Sequence, residues 1–306
     1  MLRVAVGRLL FMIPAGLFVV TLAFGMFHLV PGDVAVMLAG ETATEEVLEQ
    51  TRVKFGFDKP LHVQYIMYLS RVLRGDLGIS YYSRVPVIDL IVPRFLNTLK
   101  LAALATVVGV ALSLVLGCFS VYWYRGPLDA VATVFSLLGI CIPLYVVALL
   151  LMYLFAVYWR VLPLSGMRSW QSYILPTVTL AVYQTAFLTR MTRTCLLETI
   201  GEDYVRTARS KGLSEVRVFV KHALRNAMLP ISTIIGLRFG YAIGGAVVVE
   251  TIFGWPGLGR LIVESLLRRD LQVTQGALLL FAMGFIVTNL LVDVLYAVIN
   301  PVLRYE

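Results

Sequence analysis

Cysteine, histidine and charge are all scarce in this chain of 306 residues. Its three cysteines, Cys118, Cys141 and Cys195, are scattered and show no Cys-x-x-Cys spacing, which excludes a disulfide scaffold and argues against a metal or redox pair. Two of them fall in apolar runs, where a thiol acts as a small hydrophobe. His28, His62 and His222 lie far apart, so no histidine cluster for metal or catalysis is expected. No Gly-x-x-x-x-Gly-Lys-Ser/Thr run occurs, so the chain itself holds no nucleotide in a P-loop. His-Glu-x-x-His is also absent, and no serine or cysteine nucleophile arrangement is supported. A membrane enzyme is therefore only a weak alternative, and no cofactor or metal is expected in this chain.

Charged residues make up 14% of the chain, against about 25% in ordinary soluble domains, and hydrophobic residues 59% against about 45–50%. That composition is neither soluble nor disordered; it is the composition of an integral membrane protein. The net charge of +8 is assigned to cytoplasmic loops rather than to nucleic acid, which is not an expected partner.

A helix needs about 20 mostly apolar residues to cross the hydrocarbon core. Six segments qualify: Leu9 to Val30, Leu99 to Tyr122, Ala130 to Trp159, Ile174 to Leu188, Leu229 to Val249 and Val273 to Ile299. The fourth is short unless extended, and the third and sixth are long enough to tilt or project. The first is too long for a signal-peptide core and lacks an Ala-x-Ala cleavage pattern, so an uncleaved span is expected. With the N-terminus in the cytoplasm, the inside segments hold twelve lysines and arginines and the short outside loops five. Both termini are therefore expected to be cytoplasmic.

Three segments lie outside the spans. Segment 31–98 opens on Pro31-Gly32-Asp33, a turn, and reads as two surface helices, Glu41 to Lys54 and Leu61 to Leu73. It is either a cap on the outer mouth, a partner surface or a structural collar. Segment 250–272 contains Trp255-Pro256-Gly257-Leu258-Gly259-Arg260, which has turn chemistry. Trp255 is expected at the membrane interface, and Arg269-Asp270 as a local ion pair.

Segment 189–228 carries eight basic and four acidic residues. Its centre runs Glu202-Asp203-Tyr204-Val205-Arg206-Thr207-Ala208-Arg209-Ser210-Lys211-Gly212-Leu213. Gly212 suits a helix C-terminus that needs a left-handed residue, and Ser214 suits the N-cap of a second helix running towards His222. Two short helices joined at a glycine between two spans make a rigid elbow able to dock into another protein; an ordinary charged loop is the plainer alternative.

Two charges fall well inside spans. Arg238 in the fifth should face the protein interior or a water-filled pathway, as a pathway residue or in a structural ion pair. Asp293 in the sixth is expected to pair with a basic group, rather than to carry protons. Ion-driven transport would want more such groups in mid-membrane, which leaves a secondary transporter as the weaker alternative. Gly236, Gly240 and Gly244 recur at four-residue intervals and are expected to let another helix approach closely.

Several of these runs, in order, resemble the membrane permease subunits of ATP-driven dipeptide, oligopeptide and nickel importers. They are His28-Leu29-Val30-Pro31-Gly32-Asp33, Phe55-Gly56-Phe57-Asp58-Lys59-Pro60-Leu61, Gly75-Asp76-Leu77-Gly78-Ile79-Ser80, Arg206 to Leu213, His222 to Pro230, Trp255 to Arg260, and Asp293 to Pro301. The resemblance implies an all-α membrane fold: a five-helix core (99–306) containing the 189–228 coupling loop, an N-terminal helix (1–30) packed around it, and an extracytoplasmic segment (31–98). It implies that Glu202, Asp203, Tyr204, Arg206, Thr207, Ala208, Arg209, Lys211, Gly212 and Leu213 dock into an ATP-hydrolysing subunit. In the family's general pattern this loop has Glu-Ala-Ala six residues before its glycine; Arg206, Thr207 and Ala208 stand there instead, a departure similar to the peptide and nickel subgroup. The implied partners are a second, related permease chain, two ATPase subunits that bind ATP and Mg, an extracytoplasmic solute-binding protein and membrane lipid. The implied place is the bacterial cytoplasmic membrane, and the implied cargo a di- or oligopeptide, with a nickel chelate as the alternative.

Overall fold

A computed structural model describes residues 2–29, 36 and 43–299, with side chains over 12–26, 43–54 and 56–292 and that of Val36. Every regular element among them is helical; one isolated bridge, Ile79 to Pro86, is the only strand-like pairing among the described residues. The elements are α1 (Leu2–Leu29), α2 (Glu45–Phe55), α3 (Leu61–Leu73), α4 (Val87–Tyr122), α5 (Pro127–Cys141), α6 (Leu144–Tyr158), α7 (Ile174–Gly201), α8 (Asp203–Ser210), α9 (Glu215–Ile252), α10 (Leu258–Leu267) and α11 (Leu271–Ile299).

Among the described residues, three helices are long and apolar enough to cross a membrane: α4, α9 and the described stretch of α11 (Leu271–Val292). The described apolar part of α1 is Met12–Met26. The third expected span is not one long tilted helix. It is the pair α5 and α6, bent by 103° at a short break. Pro143 is the cause: it has no N–H to donate, and it forces the preceding Ile142 out of the helical region, to φ −76°, ψ 124°. The fourth expected span sits in the 28-residue α7, whose buried side is unusually polar: Thr177, Thr179, Gln184, Thr185, Thr189 and Thr192.

The residues divide into two compact units, one of Leu96–Arg260 with the described chain beyond 286 and the first residues of α1, the other of Gly7–Phe95 with Leu261–Ile286. In the first, α7 packs against α5, α6 and α9. Small residues set the spacing. A Cβ on Gly117 would stand 2.6 Å from Thr192, and one on Gly139 2.5 Å from Ala186, so α4 and α5 approach α7 at backbone distance. A hydrophobic core of Leu101, Leu175, Leu180, Val249, Phe253 and Trp255 closes one end.

Trp255 is not an interface residue. It is fully buried, edge-on to Tyr173 at 4.6 Å between ring centroids, with its Nε1–H directed at the Asn97 carbonyl 3.4 Å away. The loop around it is tied to a buried carboxylate, Glu250, which is 0% exposed. Glu250 accepts from Thr98 Oγ1 at 2.5 Å and from the Arg260 N–H at 3.1 Å, while Thr98 Oγ1 accepts from the Leu258 N–H at 2.9 Å. A Cβ at Gly257 would overlap the Glu250 carboxylate. Gly257→Ala should therefore lower stability by about 1–3 kcal/mol, the usual cost of overpacking. A thermal unfolding midpoint equal to the parent's would remove Glu250 from this role.

In the second unit α3 lays Tyr68, Leu69 and Val72 against Val20 and Ala23 of α1, and Phe24 meets Tyr65 edge-on at 5.3 Å. Asp270 does not pair with Arg269. It accepts instead from Ser80 Oγ at 2.5 Å and from the backbone N–H groups of Tyr81 and Tyr82 at 3.2 and 3.3 Å. Arg269 takes φ 56°, so the chain turns between the two. Gly75 and Gly78, at φ 74° and 85°, shape the loop that delivers Ser80. Between them Asp76 is held below the ordinary carboxylate pKa by the Gly78 N–H and by the Arg71 guanidinium. Pro31-Gly32-Asp33 lies outside the described residues.

Candidate functional site

The elbow is assembled from three local causes. Glu202 adopts an extended conformation (φ −69°, ψ 147°) after α7 ends, and its carbonyl accepts the first turn's N–H groups from Val205 and Arg206. Gly212 takes φ 76°, which an L side chain resists, and donates its N–H to the Arg209 carbonyl at 2.9 Å. Ser214 then stands at the start of α9 in an extended conformation, without a side-chain cap bond. The second elbow helix is not a separate piece. It runs through a π turn at Val218–Leu224 and on into the fifth expected span without a break. The second arm of the elbow and the fifth expected span are therefore one continuous helix.

The elbow has an inner and an outer side. Val205, Ala208 and Val218 are buried together, with Leu213 packed on them. Arg209 and Glu215 close the corner with a 3.1 Å ion pair. Facing outward are Glu202, Asp203, Tyr204, Arg206, Thr207, Arg209, Lys211 and Gly212. Arg206 and Asp203, 3.9 Å apart, are almost wholly exposed, so their pairing adds little stability and both remain available to a partner. Of the ten expected docking residues, Ala208 and Leu213 belong to the packing and the others to the surface.

Beside the elbow a groove of about 490 Å³ is lined by Tyr122, Trp123, Tyr124, Leu197, Ile200 and Phe219, among others. The chain just past its Tyr122–Tyr124 wall is braced by a residue that composition did not single out. Asp129, in the first turn of α5, is 5% exposed and accepts from Arg193 Nε at 2.7 Å and Nη2 at 3.0 Å. It also accepts from Ser120 Oγ at 2.5 Å and the Arg125 N–H at 3.0 Å. One carboxylate thus joins α4, α5 and α7 where α7 approaches the elbow.

A second region lies at the α5–α6 break. A cavity of about 360 Å³ is lined by Ile142, Pro143, Tyr183, Gln184, Arg238 and Tyr241, with others. Arg238 is 8% exposed, its Cζ standing 4.1, 5.0 and 5.6 Å from the ring centroids of Phe187, Tyr183 and Tyr241. The side chain of Asp293 lies outside the described residues. Of the three spaced glycines, Gly236 packs against Val292, Gly240 is buried in α9, and Gly244 meets nothing within 4 Å. The free thiols are dispersed, and no metal-binding cluster of His, Cys, Asp or Glu occurs among the described residues.

A family model described as "Binding-protein-dependent transport system inner membrane component" matches residues 87–305, and a second, for the N-terminal part of such components, matches residues 1–102. The "Glutathione transport system permease protein GsiC" of Salmonella choleraesuis (strain SC-B67) is 45% identical over 306 residues, all of both chains. The protein of the same name from Escherichia coli (strain K12) is 44% identical over the same full length. Among solved structures, an amino acid ABC transporter aligns with a TM-score of 0.57 at 20% identity, over 71% of this chain and 94% of that one. The MetNI methionine ABC transporter in inward-facing form aligns at 0.59 and 16%, over 70% and 97%. These last two share the fold.

Proposed function

We propose a function that proceeds from one premise: the chain belongs to the inner-membrane components of binding-protein-dependent transport systems. It is a permease subunit of an ABC importer, not an enzyme, and it works beside other transporter components in the inner membrane. The finer reading is ours. Six spans, with α1 packed around a five-helix core (99–306), place both termini in the cytoplasm and segment 31–98 outside. A second, related permease chain completes the path. Two ATPase subunits bind ATP and Mg and grip the 202–213 elbow, and a binding protein delivers solute from outside. ATP binding closes the ATPases, and α9, continuous from the elbow into the membrane, carries that movement to the path. Two states with different solute contacts are required, since equal binding would shift neither.

The solute is a short peptide of the glutathione kind. The observation that carries this is the 45% identity, over all of both chains, to permeases named for glutathione transport. Proteoliposomes holding this chain, its partner permease and the ATPase subunits should accumulate glutathione only with ATP and the binding protein. Uptake by the purified chain alone would overturn the ATP-driven reading. Uptake of nickel with none of glutathione would overturn the peptide.

A further inference from the structure

The cavity at the α5–α6 break holds two polar groups that no described residue answers. Nε and Nη2 of Arg238 are buried with no hydrogen-bond acceptor among the described residues. Oε1 of Gln184 is buried with no donor, while its Nε2 is already used by Thr106 Oγ1 at 3.3 Å. The two side chains come from different helices, α9 and α7, and line the same cavity. Both are more than nine-tenths buried. Such groups are costly to leave unmet, the charged one most of all.

The surroundings fit a charge held for use rather than neutralised in place. No carboxylate lines the cavity among the described residues. The rings of Phe187, Tyr183 and Tyr241 attract a cation through their faces but accept none of its in-plane N–H bonds. They hold the guanidinium and leave its fork unoccupied. Pro143 puts a non-helical backbone stretch in the wall, and at membrane depth such stretches are found where they line a cavity. The volume, about 360 Å³, lies in the range of about 300–1,000 Å³ common to small-molecule sites.

We infer that this cavity is a solute station, in which Arg238 binds the carboxylate of a short peptide through its fork and Gln184 Oε1 accepts an N–H of the same molecule. A planar guanidinium matches a carboxylate with two parallel bonds, and the amide oxygen requires a donor, so the pair reads an acid and an amine or amide together. The inference rests on the peptide-import reading and adds to it the atoms that would recognise the cargo inside the membrane.

The test uses the assembled complex without binding protein, so that only the membrane site is read, with radiolabelled glutathione as probe. Unlabelled glutathione should displace the label about ten-fold more effectively than its diethyl ester, as expected when charge-assisted bonds are lost. Arg238→Gln should lower affinity for the acid by about ten-fold or more and leave affinity for the ester within about two-fold. Arg238→Lys keeps a point charge without the fork; it should weaken the acid alone, and it decides the matter if the glutamine variant does not assemble. Equal affinity for acid and ester in the parent complex would overturn the station, and so would an equal fall for both in the lysine variant. Uptake by the proteoliposomes is scored separately. Uptake without acid preference sinks the station alone, and acid preference without uptake sinks the transport reading alone.

Discussion

Replacing Gly212 by proline stops uptake while the complex continues to hydrolyse ATP. Proline holds φ near −65°, whereas Gly212 sits at +76°. Its N–H, which donates to the Arg209 carbonyl at 2.9 Å, would also be lost. Both changes open the corner between α8 and α9 and pull Val205 and Ala208 away from Val218. Membrane insertion depends on the apolar helices and should not change. Gly212→Ala separates backbone from packing, because a Cβ there meets nothing within 4 Å. It should cost only the left-handed penalty of about 1–2 kcal/mol and leave uptake reduced but measurable. ATP hydrolysis and glutathione uptake are followed in the same proteoliposomes. Normal uptake by Gly212→Pro would end the docking proposal for the elbow.

The parts that were legible in the sequence are those decided by neighbours along the chain. Leu61 to Leu73 was readable as a helix to the residue, because Pro60 starts it and its apolar positions fall on one face. The left-handed turn at Gly212 follows from a glycine ending a charged helix. The bend between α5 and α6 was in principle readable at Pro143, but hydropathy is blind to direction: an apolar run continues through a 103° corner as if it were straight. The continuity of α9 was hidden for the opposite reason. Its polar start and apolar end differ in composition, although the helix does not break between them.

What the sequence conceals is pairing across distance. Trp255 reads as an interface tryptophan until Asn97 and Tyr173, far away in the chain, enclose it. Asp270 has a basic neighbour in Arg269 yet turns to Ser80, 190 residues earlier. Arg238 announces itself, because a charge in an apolar helix must have a reason. Gln184 does not, since a lone amide among threonines looks ordinary until its oxygen is found buried and unmet. Glu250 gave a weak signal as an acid at the end of an apolar run before a Trp-Pro-Gly turn. Arg193 gave none, counted only as one of eight basic residues in its segment.

Arg193 and Asp129 lead to the second large effect. Asp129→Ala should cost about 2–4 kcal/mol of stability, because it deprives a half-buried guanidinium of both its bonds and orphans Ser120 Oγ and the Arg125 N–H. The estimate stands at the lower part of the range for buried pairs because the Arg193 side chain is 28% exposed and water recovers part of the loss. The ring of Tyr124, 5.5 Å from the Arg193 Cζ, is a weak substitute for a carboxylate. Arg193→Ala alone leaves Asp129 its two other donors and should cost less. The double variant should then be less damaging than the sum of the two, with a coupling of about 1–3 kcal/mol. Thermal midpoints of the three detergent-solubilised complexes measure this directly. Strict additivity, or a midpoint for Asp129→Ala equal to the parent's, would show that the clamp does not hold α4, α5 and α7 together. Uptake at a temperature where Asp129→Ala stays folded asks the functional question. α7 runs straight from Arg193 to Gly201 at the mouth of the elbow, so loosening it there should slow transport even in intact protein. A folded variant with full uptake would leave the clamp a purely structural brace.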